Sequence, residues 1–78
     1  MTNLEKAKKI IRENFSQADC GIYNTHNVFG DPMGTIYEEN GLRIDICVYY
    51  GYFEVFGLTD EEFEELKRFY NSLERLVI

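Results

Sequence analysis

Met33-Gly34-Thr35-Ile36-Tyr37-Glu38-Glu39-Asn40-Gly41-Leu42-Arg43-Ile44-Asp45-Ile46-Cys47-Val48-Tyr49-Tyr50 is the stretch whose pattern decides the fold. Asn40-Gly41 suits the positive φ angles of a type I′ turn, and both flanks are rich in β-branched and aromatic residues, so a hairpin is predicted. With the turn at residues 40 and 41, Glu39 pairs with Leu42, Tyr37 with Ile44, Thr35 with Ile46 and Met33 with Val48 on one face. The other face pairs Glu38 with Arg43, a favourable cross-strand ion pair, and Ile36 with Asp45. A second turn is predicted at Tyr50-Gly51, followed by a third strand, Tyr52 to Phe56, in which Val48 opposes Phe53 and Ile46 opposes Val55. One face of this sheet is apolar. The reverse gathers Arg43, Asp45, Cys47, Tyr49, Tyr52, Glu54 and Phe56, with Tyr49 opposite Tyr52.

Helices flank the sheet. Thr2 and Asn3 are candidate caps, Glu5 completes a capping box with Thr2, and Leu4, Ala7, Ile11 and Phe15 follow at helical spacing, widened by Ile10. At the other end, Thr59-Asp60-Glu61-Glu62 has a Thr cap, Glu at N3 and acids in the first turn, and Leu58 is placed to staple onto Phe63. The second helix is expected from Asp60 to about Leu76, burying Phe63, Leu66, Tyr70, Leu73 and Val77, with Phe69 beside them. Ser16 to Pro32 has no sustained period and reads mostly as loop, with Cys20-Gly21-Ile22-Tyr23 a candidate short edge strand. The expected fold is therefore α+β: a three-stranded antiparallel sheet in the order α-β-β-β-α, with both helices packed on its one apolar face and the other face open.

Length limits what such a chain can hold. Seventy-eight residues make one domain, 1–78, with one core and few residues to spare for a deep catalytic cavity. The 45% apolar fraction, with 15% aromatics, is enough to drive folding. The residues after Lys6, Lys8, Lys9 and Arg12 include no apolar run of signal-peptide or membrane-span length, so the expected location is the cytoplasm, with no membrane partner. Cys20 and Cys47 are read as free thiols, since neither lies in a metal or redox spacing.

The net charge of −6 discourages direct binding to nucleic acid, and the charge is unevenly placed. Residues 1–12 carry +3, residues 13–66 carry −11 with Arg43 as their one basic side chain, and residues 67–78 carry +2. Glu61, Glu62, Glu64 and Glu65 are what a helix start and a solvated helix face ordinarily carry. Asp45 and Glu54 are less ordinary, because they share a strand face with Tyr49, Tyr52 and Phe56, and a surface mixing aromatics with charge resembles an interface. The candidate partner-binding residues are accordingly Glu38, Asp45, Tyr49, Tyr52, Glu54, Glu61, Glu62 and Glu65.

Chemical motifs are sparse. Cys20, His26 and Asp31 are the types of a nucleophile, a base and an orienter, but they fall within one loop with no strand-turn-helix elbow and no nameable oxyanion hole, so no catalytic residue is assigned. Asp31, Glu38, Glu39 and Asp45 do not form an EF-hand loop, and Cys20, His26 and Cys47 lack a fourth ligand, so no metal or cofactor is expected. Gly30-Asp31-Pro32-Met33-Gly34 lacks the Lys-Ser/Thr ending and the helix start of a phosphate loop.

Gly30-Asp31-Pro32-Met33-Gly34-Thr35-Ile36-Tyr37, Leu42-Arg43-Ile44-Asp45-Ile46-Cys47 and Tyr52-Phe53-Glu54-Val55-Phe56-Gly57-Leu58-Thr59 together resemble uncharacterised small acidic proteins of phages and mobile elements in gut Firmicutes. The resemblance implies a context in which small acidic proteins inhibit host defence, among them anti-CRISPR proteins that imitate DNA with carboxylates placed like phosphates. The expectation is then a non-enzymatic protein-binding inhibitor, an anti-CRISPR acting by partial DNA mimicry on a basic nucleic-acid-handling host protein such as a CRISPR effector. The basic first helix departs from a uniform polyanion. The alternative is a structural or regulatory module that self-associates, as a homodimer for instance, through Tyr49, Tyr52 and Phe56 on the open face.

Overall fold

A computed structural model of the chain describes residues 1–77, with side-chain surroundings given for residues 1–73. Helix α1 spans Asn3–Asn14 and continues into a 3-10 turn at Phe15–Gln17. Four strands follow, β1 (Gly21–Tyr23), β2 (Gly34–Glu39), β3 (Leu42–Cys47) and β4 (Tyr52–Phe56), and helix α2 (Asp60–Val77) closes the order. Both helix starts form as their residues dictate. Thr2 Oγ1 accepts from the Glu5 N–H at 3.2 Å while Glu5 Oε1 accepts from the Thr2 N–H at 3.1 Å, and Thr59 and Glu62 repeat the exchange at 3.1 and 3.0 Å.

The sheet departs from the expected three antiparallel strands. It has four, in the order β1-β4-β3-β2, and is mixed, because β1 runs parallel to β4. The edge strand forms because Ile22 has an apolar site to enter, opposite Phe53, and because the chain before it is tethered. The Cys20 N–H donates to the Gly51 carbonyl at 2.7 Å, and the buried Tyr70 hydroxyl donates to the Ala18 carbonyl at 2.9 Å. Helix α2 thus holds β1 in place.

Asn40 and Gly41 adopt φ of 54° and 81°, as a type I′ turn requires, and Glu39–Leu42, Glu38–Arg43 and Tyr37–Ile44 pair as expected. Beyond them a bulge at Ile36 shifts the register, so Thr35 faces Asp45 and Gly34 faces Ile46, in place of the predicted Ile36–Asp45 and Thr35–Ile46 pairs. The second turn is also longer than predicted. It runs from Val48 to Gly51 and is closed by the Gly51 N–H on the Cys47 carbonyl at 2.7 Å. Ile46 therefore faces Phe53, Ile44 faces Val55 and Cys47 faces Tyr52. The slip is two residues, which preserves which side chains point to the core but takes Val48 and Tyr49 out of the sheet. Tyr49 does not oppose Tyr52.

Leu42, Ile44, Ile46, Phe53, Val55 and Ile22 form the sheet side of the core. Ala7, Ile10 and Ile11 of α1 and Phe63, Leu66, Tyr70 and Leu73 of α2 cover it, so both helices lie on one face as expected. The predicted burial of Val77 lies outside the described side chains. No helix among the described residues is long and apolar enough to cross a membrane.

The strand order has a consequence for the other face. The chain leaves β1 at one edge of the sheet and re-enters it at β2, the opposite edge. Three inter-strand spacings are about 14 Å, well within reach of the residues 24–33 that connect the two strands. This segment crosses the face away from the helices. His26 stacks on Phe56 with ring centroids 4.5 Å apart, and Asp31 Oδ2 accepts from the Tyr52 hydroxyl at 2.8 Å. The face predicted to be open is roofed.

Candidate functional site

Beneath the crossing segment the strands bring two carboxylates side by side. Asp45 on β3 and Glu54 on β4 are direct cross-strand partners, and they are 5% and 4% exposed. Their expected role as surface carboxylates is thereby corrected: the loop that returns the chain to β2 takes both out of solvent. Burying two like charges is costly unless each finds partners. Asp45 has them, since its Oδ1 accepts from Arg43 Nε at 3.0 Å and from the Thr35 hydroxyl at 2.8 Å. The bulge at Ile36 makes the second bond, by turning Thr35 to face Asp45. Arg43 Nε also lies 3.8 Å from Glu38, and these carboxylates hold the guanidinium firmly in its charged form.

Glu54 is less well served. Burial raises its pKa, the neighbouring Asp45 charge raises it further, and the Asn27 backbone N–H and the His26 imidazole only partly oppose them. No Lys, Arg or His of the described residues lies within ion-pair distance of it. Because the folded state holds the Glu54 proton more tightly than the unfolded chain, unfolding free energy falls as pH rises from the ordinary carboxylate value through the raised folded value. Glu54→Gln removes this dependence. The variant is expected to match the wild type at about pH 4 and to exceed it in urea midpoint near neutrality; parallel pH profiles from about pH 4 to 8 would sink the assignment.

Glu54 is also part of the lining of a cavity of about 380 Å³, with Tyr23, Thr25, His26, Asn27, Val28, Phe29, Asp31 and Tyr52 around it. Tyr23 and Tyr52 meet edge to face, their centroids 5.5 Å apart. Burial and the hydrogen bond to Asp31 push the Tyr52 phenol well above its ordinary pKa, so it remains a donor throughout the working pH range. Asn27 shapes the loop tip, with Oδ1 accepting from the Phe29 N–H at 2.9 Å and Nδ2 donating to the Asp31 carbonyl at 3.0 Å. Gly30, at φ 73°, turns the chain after it. Val28 and Phe29 therefore stand at the cavity mouth 84% and 87% exposed.

The sequence-predicted site residues do not form one surface. Asp45, Tyr52 and Glu54 come together under the loop, while Glu38 sits at the β2 edge and Tyr49, 78% exposed, sits in the turn before β4. Glu61, Glu62 and Glu65 belong to α2, on the helix side of the sheet, where Glu62 caps Thr59 and Glu65 pairs with Lys8 at 3.2 Å. The Cys20-His26-Asp31 set is divided. His26 and Asp31 line the large cavity, whereas Cys20 lines a separate depression with Tyr23, Lys67 and Tyr70. Cys47 is a buried free thiol whose sulfur accepts from the Tyr50 N–H at 3.4 Å.

Val28, Phe29, Asn27 and Tyr23 were not marked by sequence reasoning. Their signal was present: an apolar pair inside the polar, Gly-terminated run Asn24 to Gly30, with an Asn two residues before Phe29. Fold and site together define a two-helix α+β domain on a mixed sheet with a loop-roofed carboxylate cavity. No protein-family model, curated protein or solved structure matches the chain.

Proposed function

We propose that this protein is a non-enzymatic protein-binding inhibitor that docks through the loop tip at Val28 and Phe29 onto a basic, nucleic-acid-handling host protein. The observation that carries the reading is the near-complete exposure of Val28 and Phe29 on a tip held by two hydrogen bonds of Asn27. A small domain gains nothing for its own stability from a fixed, solvent-facing Phe, whereas an interface anchor has this form. The exposed Tyr49 and Tyr50 add a second aromatic element. Net charge −6 and the exposed acids Glu38, Glu61 and Glu65 favour a basic partner by steering its approach. The resemblance to small phage proteins makes an anti-CRISPR the specific form of this inhibitor, with a CRISPR effector as partner. Buried Asp45 and Glu54 are unsuited to imitate phosphates, so mimicry is confined to the exposed acids and apolar contact supplies the affinity.

The test is inhibition of nuclease interference by the whole protein, in cells and with purified effector. Val28→Ser/Phe29→Ser is expected to leave the melting temperature unchanged, because both side chains are solvated, and to weaken effector binding about 100-fold. The association rate is expected to fall with added salt. Inhibition that survives the double substitution and is indifferent to salt would overturn the reading. Self-association through Tyr49, Tyr52 and Phe56 has less support, since Tyr52 is bonded to Asp31 and Phe56 lies under His26.

A further inference from the structure

The geometry points to a second property: the cavity under residues 24–33 is a binding site for an organic cation, an ammonium or guanidinium group. Its volume, about 380 Å³, falls in the range of small-ligand sites. The aromatic residues Tyr23, Tyr52, Phe29 and His26 and the two carboxylates Glu54 and Asp31 line it. Aromatic faces and carboxylates converge on one kind of ligand, because a cation gains from the ring quadrupoles and the anions at once, while an anion is repelled by both.

The charge balance strengthens the case. Among the described residues no Lys or Arg lines the cavity, and Arg43, on this sheet face, is engaged by Asp45 at 3.0 Å and Glu38 at 3.8 Å. Glu54, only 4% exposed, is thus a carboxylate facing a cavity with room for a full countercharge, where the Asn27 backbone N–H and the His26 imidazole are the groups that favour its ionised form. Burial and the neighbouring Asp45 charge raise its pKa, and the Asn27 N–H and His26 offset them only in part, so a bound cation would relieve this carboxylate. Asp31 differs in being tied to the Tyr52 hydroxyl at 2.8 Å, which fixes one wall of the site. A cation seated here would neutralise Glu54 as Arg43 neutralises Asp45.

The shared chemistry has two sources, a free small amine or guanidine and a Lys or Arg side chain of a protein. The second would deepen the proposed function, since a basic partner docking on Phe29 would bring such side chains to the cavity mouth; the first stands without it. The experiment is a chemical-shift titration of the full chain with methylguanidinium, n-butylammonium, neutral n-butanol, inorganic phosphate and a blocked Gly-Arg-Gly peptide. Saturable shifts at the amides of Tyr23, Asn27 and Glu54 are expected with the two cations, with Kd on the order of 1 mM, and none with phosphate. Glu54→Gln, expected to fold at least as stably as the wild type, is predicted to weaken both cations about tenfold or more, and Asp31→Asn to weaken them less. A peptide Kd at least about tenfold below that of methylguanidinium assigns the site to a protein side chain, and equal or weaker peptide binding assigns it to a free cation. Equal binding of n-butanol and n-butylammonium, unchanged affinity in Glu54→Gln, or no saturable shift would overturn the site. None of these readouts depends on inhibition of an effector, so failure here and failure of the proposed function are separately visible.

Discussion

Phe53→Ala is expected to remove about 3–5 kcal/mol of stability, which for a chain of this length is a large part of the total. At about 0.05–0.15 kcal/mol per residue, 78 residues carry roughly 4–12 kcal/mol. Phe53 is fully buried, faces Ile46 across the antiparallel pair and Ile22 across the parallel one, and meets the ring of Tyr70 edge to face at 6.2 Å. Its removal opens a void where β1, β4, β3 and α2 converge, and no neighbour is free to fill it. The cavity side suffers too, because Tyr52 and Glu54 are the residues on either side of Phe53 in β4. Urea unfolding followed by circular dichroism is the measurement. Phe53→Leu, which keeps most of the volume, should lose only about 1–2 kcal/mol; equal losses for the two variants would show that packing volume is not what Phe53 supplies.

Gly57→Ala is expected to cost about 3 kcal/mol or more, although it adds only a methyl group. Gly57 has φ of 101°, a conformation that L side chains rarely adopt, and it ends β4 beside the β2–β3 turn. A Cβ there would collide with the Gly41 carbonyl oxygen and come within 3.0 Å of Leu42 Cα. Both obstacles are backbone, so no rotamer change relieves them. Gly30→Ala is the control, since Gly30 also has positive φ, 73°, but faces open space. It should cost about 1 kcal/mol, the conformational penalty alone. Similar urea midpoints for the two variants would mean that the hairpin turn yields to Gly57 more easily than its contacts indicate.

The close approach of Gly57 to Gly41 illustrates what was legible in the residues and what was not. Asn40-Gly41 announced its own turn, because type I′ geometry is a property of those two residues. Nothing near Gly57 announced that this turn would lie against it, since that contact exists only once β3 and β4 are paired. The second turn shows the same limit in milder form. Gly51 was correctly placed at its end, but Val48, Tyr49 and Tyr50 have strand composition and only the pairing of Cys47 with Tyr52 assigns them to the turn. Strand composition describes a residue's fit to a pleated surface, and a turn with exposed aromatics is compatible with it.

The candidate site was harder to see than the fold. Asp45 and Glu54 were recognised as unusual, and they are, but as buried neighbours and not as a charged surface. Alternation correctly put both on the face away from the helices. What alternation cannot supply is whether that face is covered, and here the answer depends on the three residues of β1. Their parallel pairing with β4 is non-local, set by Ile22 entering the core and by Tyr70 holding the Ala18 carbonyl from 52 residues away. Cys20-Gly21-Ile22-Tyr23 reads as a candidate short edge strand and Gly21–Tyr23 forms one, but so short a stretch carries no sign of its parallel pairing with β4, the position that obliges residues 24–33 to cross the sheet.

Capping boxes, the Asn-Gly turn, helical and strand periodicities and the uneven charge are written in short stretches of the chain, because each rests on contacts between residues a few positions apart or on the side to which a side chain points. The helices and their buried faces, the central hairpin and the apolar side of the sheet follow from them. The parallel pairing of the edge strand with β4, the roof over the second face, the burial of Asp45 and Glu54 and the presentation of Val28 and Phe29 arise only in the folded chain. Each depends on a pairing of distant segments that is stabilised by packing, and packing is decided by the whole set of residues at once.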